Sequence, residues 1–391
     1  MGVKVDVVAH SQPSFAGEVV HGAVDVEVET RDFERSSADE LILKLIGKAS
    51  NLVYHQVFSA GPDGGTMVRQ PIWQHEEIIS YESQLTAFGG KAAPGRHSYP
   101  FSVALPPRLP PTMKEIGHGG GSCEVKYELQ ARLHRPGILN FDAKGKTELT
   151  VHPKPEEVPP TPVTMGPDIQ KVNTCFWCFS GGSISIGFEA DRSVVGRNEP
   201  ISLVVVARND SSSNVKDMNI QIKQEVKWYV RHNTDRRQRT IASIQVSGFQ
   251  LDELQRASEK GQERGRSPTA IADEARSDLH AMLRAGAGKK YELVVPDDCQ
   301  VTMQTSLINV RHSLVVELKT ATCITSPEVW MPLRVQPNRD TSSESAAAEA
   351  VPYATAVEAE VMGESKFPVP SSAVTIEYTS SMPDPSAPEK F

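Results

Sequence analysis

Cysteine is scarce. The 391 residues hold five (Cys123, Cys175, Cys178, Cys299 and Cys323), an odd number at irregular spacing. That excludes a disulfide framework and fits a reducing, cytoplasmic setting. Long apolar runs are missing too: none approaches the roughly 18 residues that a membrane-spanning helix requires. No secretory leader is read at the start. Met1-Gly2-Val3-Lys4-Val5-Asp6 puts Asp where an N-myristoylation signal needs Ser or Thr. Positive charge is not in excess either. The formal net charge is −8, and nine acidic against three basic residues from Asn338 onward supply −6 of it. The rest of the chain is close to neutral, so no nucleic-acid footprint is expected.

The groupings that carry chemistry are incomplete. His118-Gly119-Gly120-Gly121 has the composition of a lipase oxyanion loop, but a hydrolase also needs a G-x-S-x-G elbow, and Gly181-Gly182-Ser183-Ile184-Ser185 misses the last Gly. A hairpin loop is the plainer reading. Gly286-Ala287-Gly288-Lys289-Lys290 lacks the first Gly and the hydroxyl residue of a phosphate loop, and reads as a helix stop. Cys175-Phe176-Trp177-Cys178 is a CxxC without the two further ligands of a zinc site, and without the helix start of a redox site. No catalytic residue, metal site or cofactor is assigned, and no enzyme is expected. An esterase of the α/β-hydrolase kind is the disfavoured alternative.

What the chain does have is a period of two. Met218, Ile220, Ile222, Val226, Trp228 and Val230 share one parity, with polar or amphipathic residues between them, as on a strand with one dry face. Gln224 interrupts that face and suggests a bulge or a sheet rim. Val3, Val5 and Val7, then Val20, Val24, Val26 and Val28, then Leu41, Leu43 and Leu45 up to Gly47 read as further strands. A loop is expected from Ser59 to Thr66. Tyr99, Phe101, Val103 and Leu105 alternate ahead of Pro106-Pro107-Arg108-Leu109-Pro110-Pro111, which cannot be a central strand and predicts an edge or polyproline crossover. Val125 to Leu133 is a long strand. Its counterpart in the second half is Leu307 to Leu318, where His312 sits among apolar residues of its own parity.

These patterns predict an all-β chain of two tandem antiparallel β-sandwiches. The expected boundaries are 1–154 for the first, a Pro-rich linker at 155–170, and 171–337 for the second. Leu251, Leu254 and Ala257, then Ile271, Ala275, Leu279 and Met282, recur at helical spacing, so a helical insertion is expected over 250–288. Residues 338–391 are rich in Ser, Ala, Glu and Pro and predict a disordered acidic tail.

Several motifs also carry a resemblance. Gly182-x-Ile184-x-Ile186, Asp191-Arg192, the Gly196 turn, Ile201 to Asn209 and the closing Asn209-Asp210-Ser211 resemble the opening of the C-terminal domain of arrestins, the alpha-arrestin branch in particular. Gly95-x-His97-x-Tyr99-Pro100-Phe101 through Pro110-Pro111-Thr112 resembles the arrestin N-terminal domain. Ser306-Leu307-Ile308-Asn309-Val310-Arg311-His312 is similar to that family's last strands. The resemblance implies a cytosolic adapter that binds membrane-protein cargo tails and links them to endocytic trafficking, protein transport or ubiquitination. It implies peripheral recruitment to the plasma membrane or endosomes. A retromer-type subunit of the same fold is the nearest alternative. The family's PPxY signal for ubiquitin ligases is not found: the tail offers only Val351-Pro352-Tyr353 and Ile376-Glu377-Tyr378.

One basic run stands out. Arg231, Arg236, Arg237 and Arg239 are read as a hairpin tip projecting into solvent, a candidate contact for phosphate groups or an anionic lipid surface. A plain solvated hairpin is the competing reading.

Overall fold

The computed structural model describes residues 3–10, 12–29, 37–61, 64–135, 141–173, 180–209, 211, 215–247, 277–278, 280–283, 288–320, 326–338 and 374–376. The chain forms two compact units, one built on Met1–Lys154, the other on Pro155–Tyr229 and Thr234–Asn338. Each contains two main β-sheets.

The strands of the first unit are β1 (Val3–Ala9), β2 (Ser14–Phe15), β3 (Val19–Val28), β4 (Ser37–Gly61), β5 (Gly64–Lys91), β6 (Gly95–Ala104), β7 (Met113–Ile116), β8 (Ser122–His134), β9 (Ala143–Leu149) and β10 (Val151–His152). One sheet runs β1-β3-β6. The other runs β5-β4-β8, with both β7 and β9 paired to β8. The predicted parities are the buried ones: Val20, Val24, Val26 and Val28 on β3, Leu41, Leu43 and Leu45 on β4, and Val125, Tyr127, Leu129, Ala131 and Leu133 on β8. The crossover at Pro106–Pro111 is tied to this core, because the phenol of buried Tyr127 donates to the Pro110 carbonyl at 2.8 Å.

Two expectations about β4 are corrected. Gly47 does not end the strand. It sits where Tyr127 and Ile79 approach so closely that an added Cβ would lie 2.5 and 2.6 Å from them, and the register shifts just after it. A glycine read as punctuation is therefore a close-packing site. The loop expected from Ser59 to Thr66 is largely strand, since the β4–β5 ladder continues to Gly61 and Gly64. His118–Gly121 does form a turn between β7 and β8, with the Gly117 N–H bonded to the Gly121 carbonyl at 2.8 Å.

In the second unit the strands are β11 (Val163–Asn173), β12 (Ser180–Ala190), β13 (Val194–Gly196), β14 (Pro200–Asn209), β15 (Val215–Val230), β16 (Asn233–Ser247), β17 (Lys289–Val294), β18 (Met303–Gln304), β19 (Ile308–Thr320) and β20 (Glu328–Gln336). One sheet has the order β11-β12-β14-β17, the other β13-β20-β19-β15-β16, with β18 also on β19. Their inner faces meet in one core that includes Ile186, Phe188, Leu203, Ile220, Ile222, Leu314, Val316 and Met331. The span expected as linker ends early: from Val163 the backbone pairs with β12, and the register shifts across Gly166-Pro167. Gly166 has φ +94°, a conformation only glycine adopts without strain, so the prolines mark a bulged edge strand as well as a connector.

Of the expected helical insertion, Ser277–Asp278 and His280–Leu283 are helical, and residues 250–276, with Ile271 and Ala275, lie outside the described residues. Leu283 is buried against Val206 of β14 with Met282 beside it, and Arg208 pairs with Asp278 at 3.2 Å. Cys175 and Cys178 lie outside the described residues as well. Within the tail expected to lack structure, β21 (Val374–Ile376) pairs in parallel with Phe101–Val103 of β6. Three consecutive strand-favouring residues, Val374, Thr375 and Ile376, suit an open sheet edge; the rest of the tail lies outside the described residues.

Candidate functional site

The hairpin from β15 to β16 turns on only two residues, Arg231 and His232, and Arg231 takes φ +55° to make the reversal. Arg236, Arg237 and Arg239 therefore belong to strand β16, not to a projecting tip. Strand alternation then separates them. Arg236 is exposed and faces Glu225 at 3.7 Å. Arg237 and Arg239 have the opposite parity and are half-buried. The Nη2 group of Arg239 donates to the Asp298 carbonyl at 3.3 Å, and its Nε is buried without a partner. The four arginines read as one basic cluster are thus divided between a turn and two faces of a strand.

A different grouping replaces that cluster. Glu225, Lys227 and Tyr229 of β15, Thr234 and Arg236 of β16, and Asn309 and Arg311 of β19 line a groove of about 320 Å³ on the outer face of the sheet. Glu225 lies directly across from Arg311 and also meets Arg236. Lys227 extends over the Tyr229 ring, 5.2 Å from its centroid. Three cations against one carboxylate give this groove a positive field that an anionic group would satisfy. Sequence alternation had marked the odd positions of β15 only as a wet face. Arg311 is distant in sequence, and only the β15–β19 register brings it here.

Behind the groove, on the dry face of the same strands, Gln224 and His312 are cross-strand partners. Both are buried, at 1% and 4% exposure. The Gln224 Oε1 accepts the Gln300 backbone N–H at 2.9 Å and lies 3.3 Å from the His312 Nε2. The other ring nitrogen, Nδ1, is 2.9 Å from the Thr302 hydroxyl. Gln224 is therefore neither at a bulge nor at a rim; its polarity is matched by that of β19. Burial, with Arg239 and Arg197 nearby, holds the imidazole pKa down to about 4, so it stays neutral at physiological pH.

The first unit presents two further surfaces. Its β4–β5 hairpin continues well beyond the sandwich core. Toward its end Val57, Phe58, Met67 and Val68 are exposed, Phe58 by 65% and Met67 by 61%. Val57 faces Val68 and Phe58 faces Met67 across the ladder, so the apolar side chains are adjacent and not scattered. On the outer face of β4, β8 and β9, a groove of about 550 Å³ has Ile42 and Ile46 along it and Lys44, Glu82, Arg132, Lys144 and Lys146 around it. Arg132 lies directly opposite Lys144, a like-charge pairing that disfavours the sheet unless something answers it. Asp142 does so in part, 3.8 Å from Arg132.

Two antiparallel sandwiches in tandem, with the strand orders above, are what the sequence motifs implied. Residues 3–156 match the family model described as "Arrestin (or S-antigen), N-terminal domain", and residues 180–339 match "Arrestin (or S-antigen), C-terminal domain". The chain belongs to the arrestin family. Each match falls on one of the two compact units, so arrestin domains account for most of the chain. Among the described residues of this arrestin no helix is long and apolar enough to cross a membrane.

Proposed function

We propose that this arrestin is a non-enzymatic adapter that holds a segment of a membrane-protein cargo and links it to endocytic trafficking or ubiquitination machinery. The observation that carries the reading is the pair of arrestin domains with binding surfaces on their outer faces: an apolar hairpin end in the first and a cationic groove in the second. Exposed apolar side chains side by side are an unfavourable surface for an isolated soluble protein and a favourable one for a partner interface. The adapter is peripherally recruited to the plasma membrane or endosomes. A weak anionic-lipid contact uses the outward arginines, Arg231 and Arg236, each contributing on the order of 1 kcal/mol near a charged surface. That is too little to hold the protein on a membrane alone, so cargo supplies the rest.

Proximity labelling in native cells, with the wild type and with Phe58→Ser/Met67→Ser, tests the adapter reading. Membrane proteins should dominate the wild-type set and be depleted in the variant. Identical sets, or sets without membrane proteins, would sink it. Sedimentation with phosphoinositide-containing liposomes at low salt, comparing wild type with Arg231→Gln/Arg236→Gln, tests the lipid contact. Equal binding by the two would remove it.

A further inference from the structure

The Pro-rich stretch ahead of β11 is held at both ends and bare between them. At its start the Glu156 N–H donates to the Gln336 Oε1 at 2.9 Å, and the Gln336 side-chain amide donates back to the Glu156 carbonyl at 3.1 Å. The Glu156 carboxylate also pairs with Arg334 at 2.7 Å. At its end Val163 enters the ladder opposite Ala190 of β12. Every residue from Glu156 to Pro162 is exposed, and none belongs to a helix or strand. Pro159, Pro160 and Pro162 each fix their own φ at about −65°, and each turns the residue before it away from helical backbone. The stretch is therefore extended, with little conformational freedom left to lose when an enzyme's groove takes it up.

Thr161 lies inside it, in the order Pro159-Pro160-Thr161-Pro162. Its hydroxyl donates to the Pro159 carbonyl at 3.3 Å, a long bond within the stretch itself. A hydroxyl followed by proline suits one class of enzyme. Proline has no N–H, so a kinase groove that offers the next backbone N–H no acceptor takes proline there and penalises any other residue by one unsatisfied donor. Three such hydroxyl-proline steps occur in the chain, at Thr161, Ser267 and Ser326, and only Thr161 has a second proline two residues before it. Ser267 lies outside the described residues. At Ser326 access is closed: Pro327 is buried, its carbonyl accepts the Leu318 N–H at 3.0 Å, and the Ser326 hydroxyl lies 3.5 Å from the Thr320 backbone nitrogen. Thr161 and Pro162 are both exposed, so the fold itself selects between the two described steps.

We propose that Thr161 is a phosphorylation site for a proline-directed Ser/Thr protein kinase. The Thr161 Oγ1 attacks the γ-phosphorus of ATP, the bond from that phosphorus to ADP breaks, ADP leaves, and the hydroxyl proton passes to the kinase's base. The product places about −1.5 to −2 of added charge near Glu156 and Glu157. The site uses neither the hairpin end nor the cationic groove, so its failure would leave the adapter reading intact. The test incubates the folded full chain with ATP, Mg²⁺ and a proline-directed kinase of the MAP-kinase type, and follows phosphate at each site by mass spectrometry. Thr161 should be modified ahead of Ser326. Pro162→Ala, which keeps the hydroxyl and restores the N–H that the groove cannot satisfy, should slow modification of Thr161 about tenfold or more. Thr161→Ala should remove the phosphate from this stretch. No phosphate on Thr161, faster modification of Ser326 than of Thr161, or an equal rate at Thr161 in the Pro162→Ala chain would each overturn the proposal.

Discussion

The two sandwiches share a plan and differ in what lies at the middle of their inner faces. In the first, the central pair of strands puts Leu43 and Leu45 of β4 across from Ala131 and Leu129 of β8, all buried. In the second, the central pair β15 and β19 holds Gln224 across from His312. At this position the first interior is sealed by apolar contact and the second by a hydrogen-bonded seam running from Gln300 through Gln224 and His312 to Thr302. A polar side chain on a dry parity is tolerated where the neighbouring strand supplies its partner, and the tolerance then depends on protonation state. The first domain solves a smaller version of the same problem at Tyr127, whose ring is buried and whose hydroxyl reaches a proline carbonyl.

Acidity should produce the largest separation between the domains. An ordinary histidine titrates near 6.5, and His312 is held to about 4, chiefly by desolvation and secondarily by Arg239 and Arg197. Between those values the unfolded chain binds a proton that the folded domain does not. Stability from this group is therefore complete above 6.5 and is lost as the pH falls toward 4, by about 3 kcal/mol at the lower end. Native-state hydrogen exchange should show the amides of β15 and β19 losing protection across this window while those of β4 and β8 hold theirs. Parallel loss in both domains would mean that they unfold together or that the seam is not the cause.

Next in size is the seam itself. Gln224→Leu leaves the His312 Nε2 and the Gln300 N–H without partners in the dry interior, at about 2 kcal/mol. Adding His312→Leu should recover part of that loss and abolish the acid sensitivity, turning the second interior into a copy of the first. Denaturant unfolding of the single and double variants measures the coupling, and strict additivity would show that the two side chains do not act as a unit.

Tyr127→Phe in the first domain should cost about 1 kcal/mol, the usual value for one hydrogen bond with no charged partner, and should leave pH dependence between 4 and 6.5 unaltered. A loss several times larger would mean that the Pro106–Pro111 crossover had detached. The smallest effect is at the surface. Arg236→Gln removes an ion pair whose arginine side chain is 72% exposed, so the melting temperature should stay within experimental scatter. A clear fall would show that the groove is part of the fold's support and not a free binding surface.

Much of this was legible in the chain before any folding was considered. Period-two alternation names the buried face of β3, β4, β8, β15 and β19, because side chains on a strand alternate by geometry alone. The prolines bracket the domain boundary, although 163–170 pairs as β11. The glycines were harder to read. Gly47 looks like a stop and is a close approach, a distinction that depends on Tyr127, which is 80 residues away. The basic run misled for a related reason. Composition shows four arginines close together, whereas a two-residue turn and strand alternation send Arg236 and Arg239 to opposite faces.

By itself, then, the sequence determined that this is a double sandwich of the arrestin family, which residues line its interiors, and that no long apolar helix is encoded. Only the tertiary structure decided who meets whom across long separations: Gln224 with His312, and Arg311 with Glu225. The physical reason is that alternation is a local property of the strand, fixed by its own backbone. Register is a property of the whole sheet, set by how many residues every intervening turn consumes.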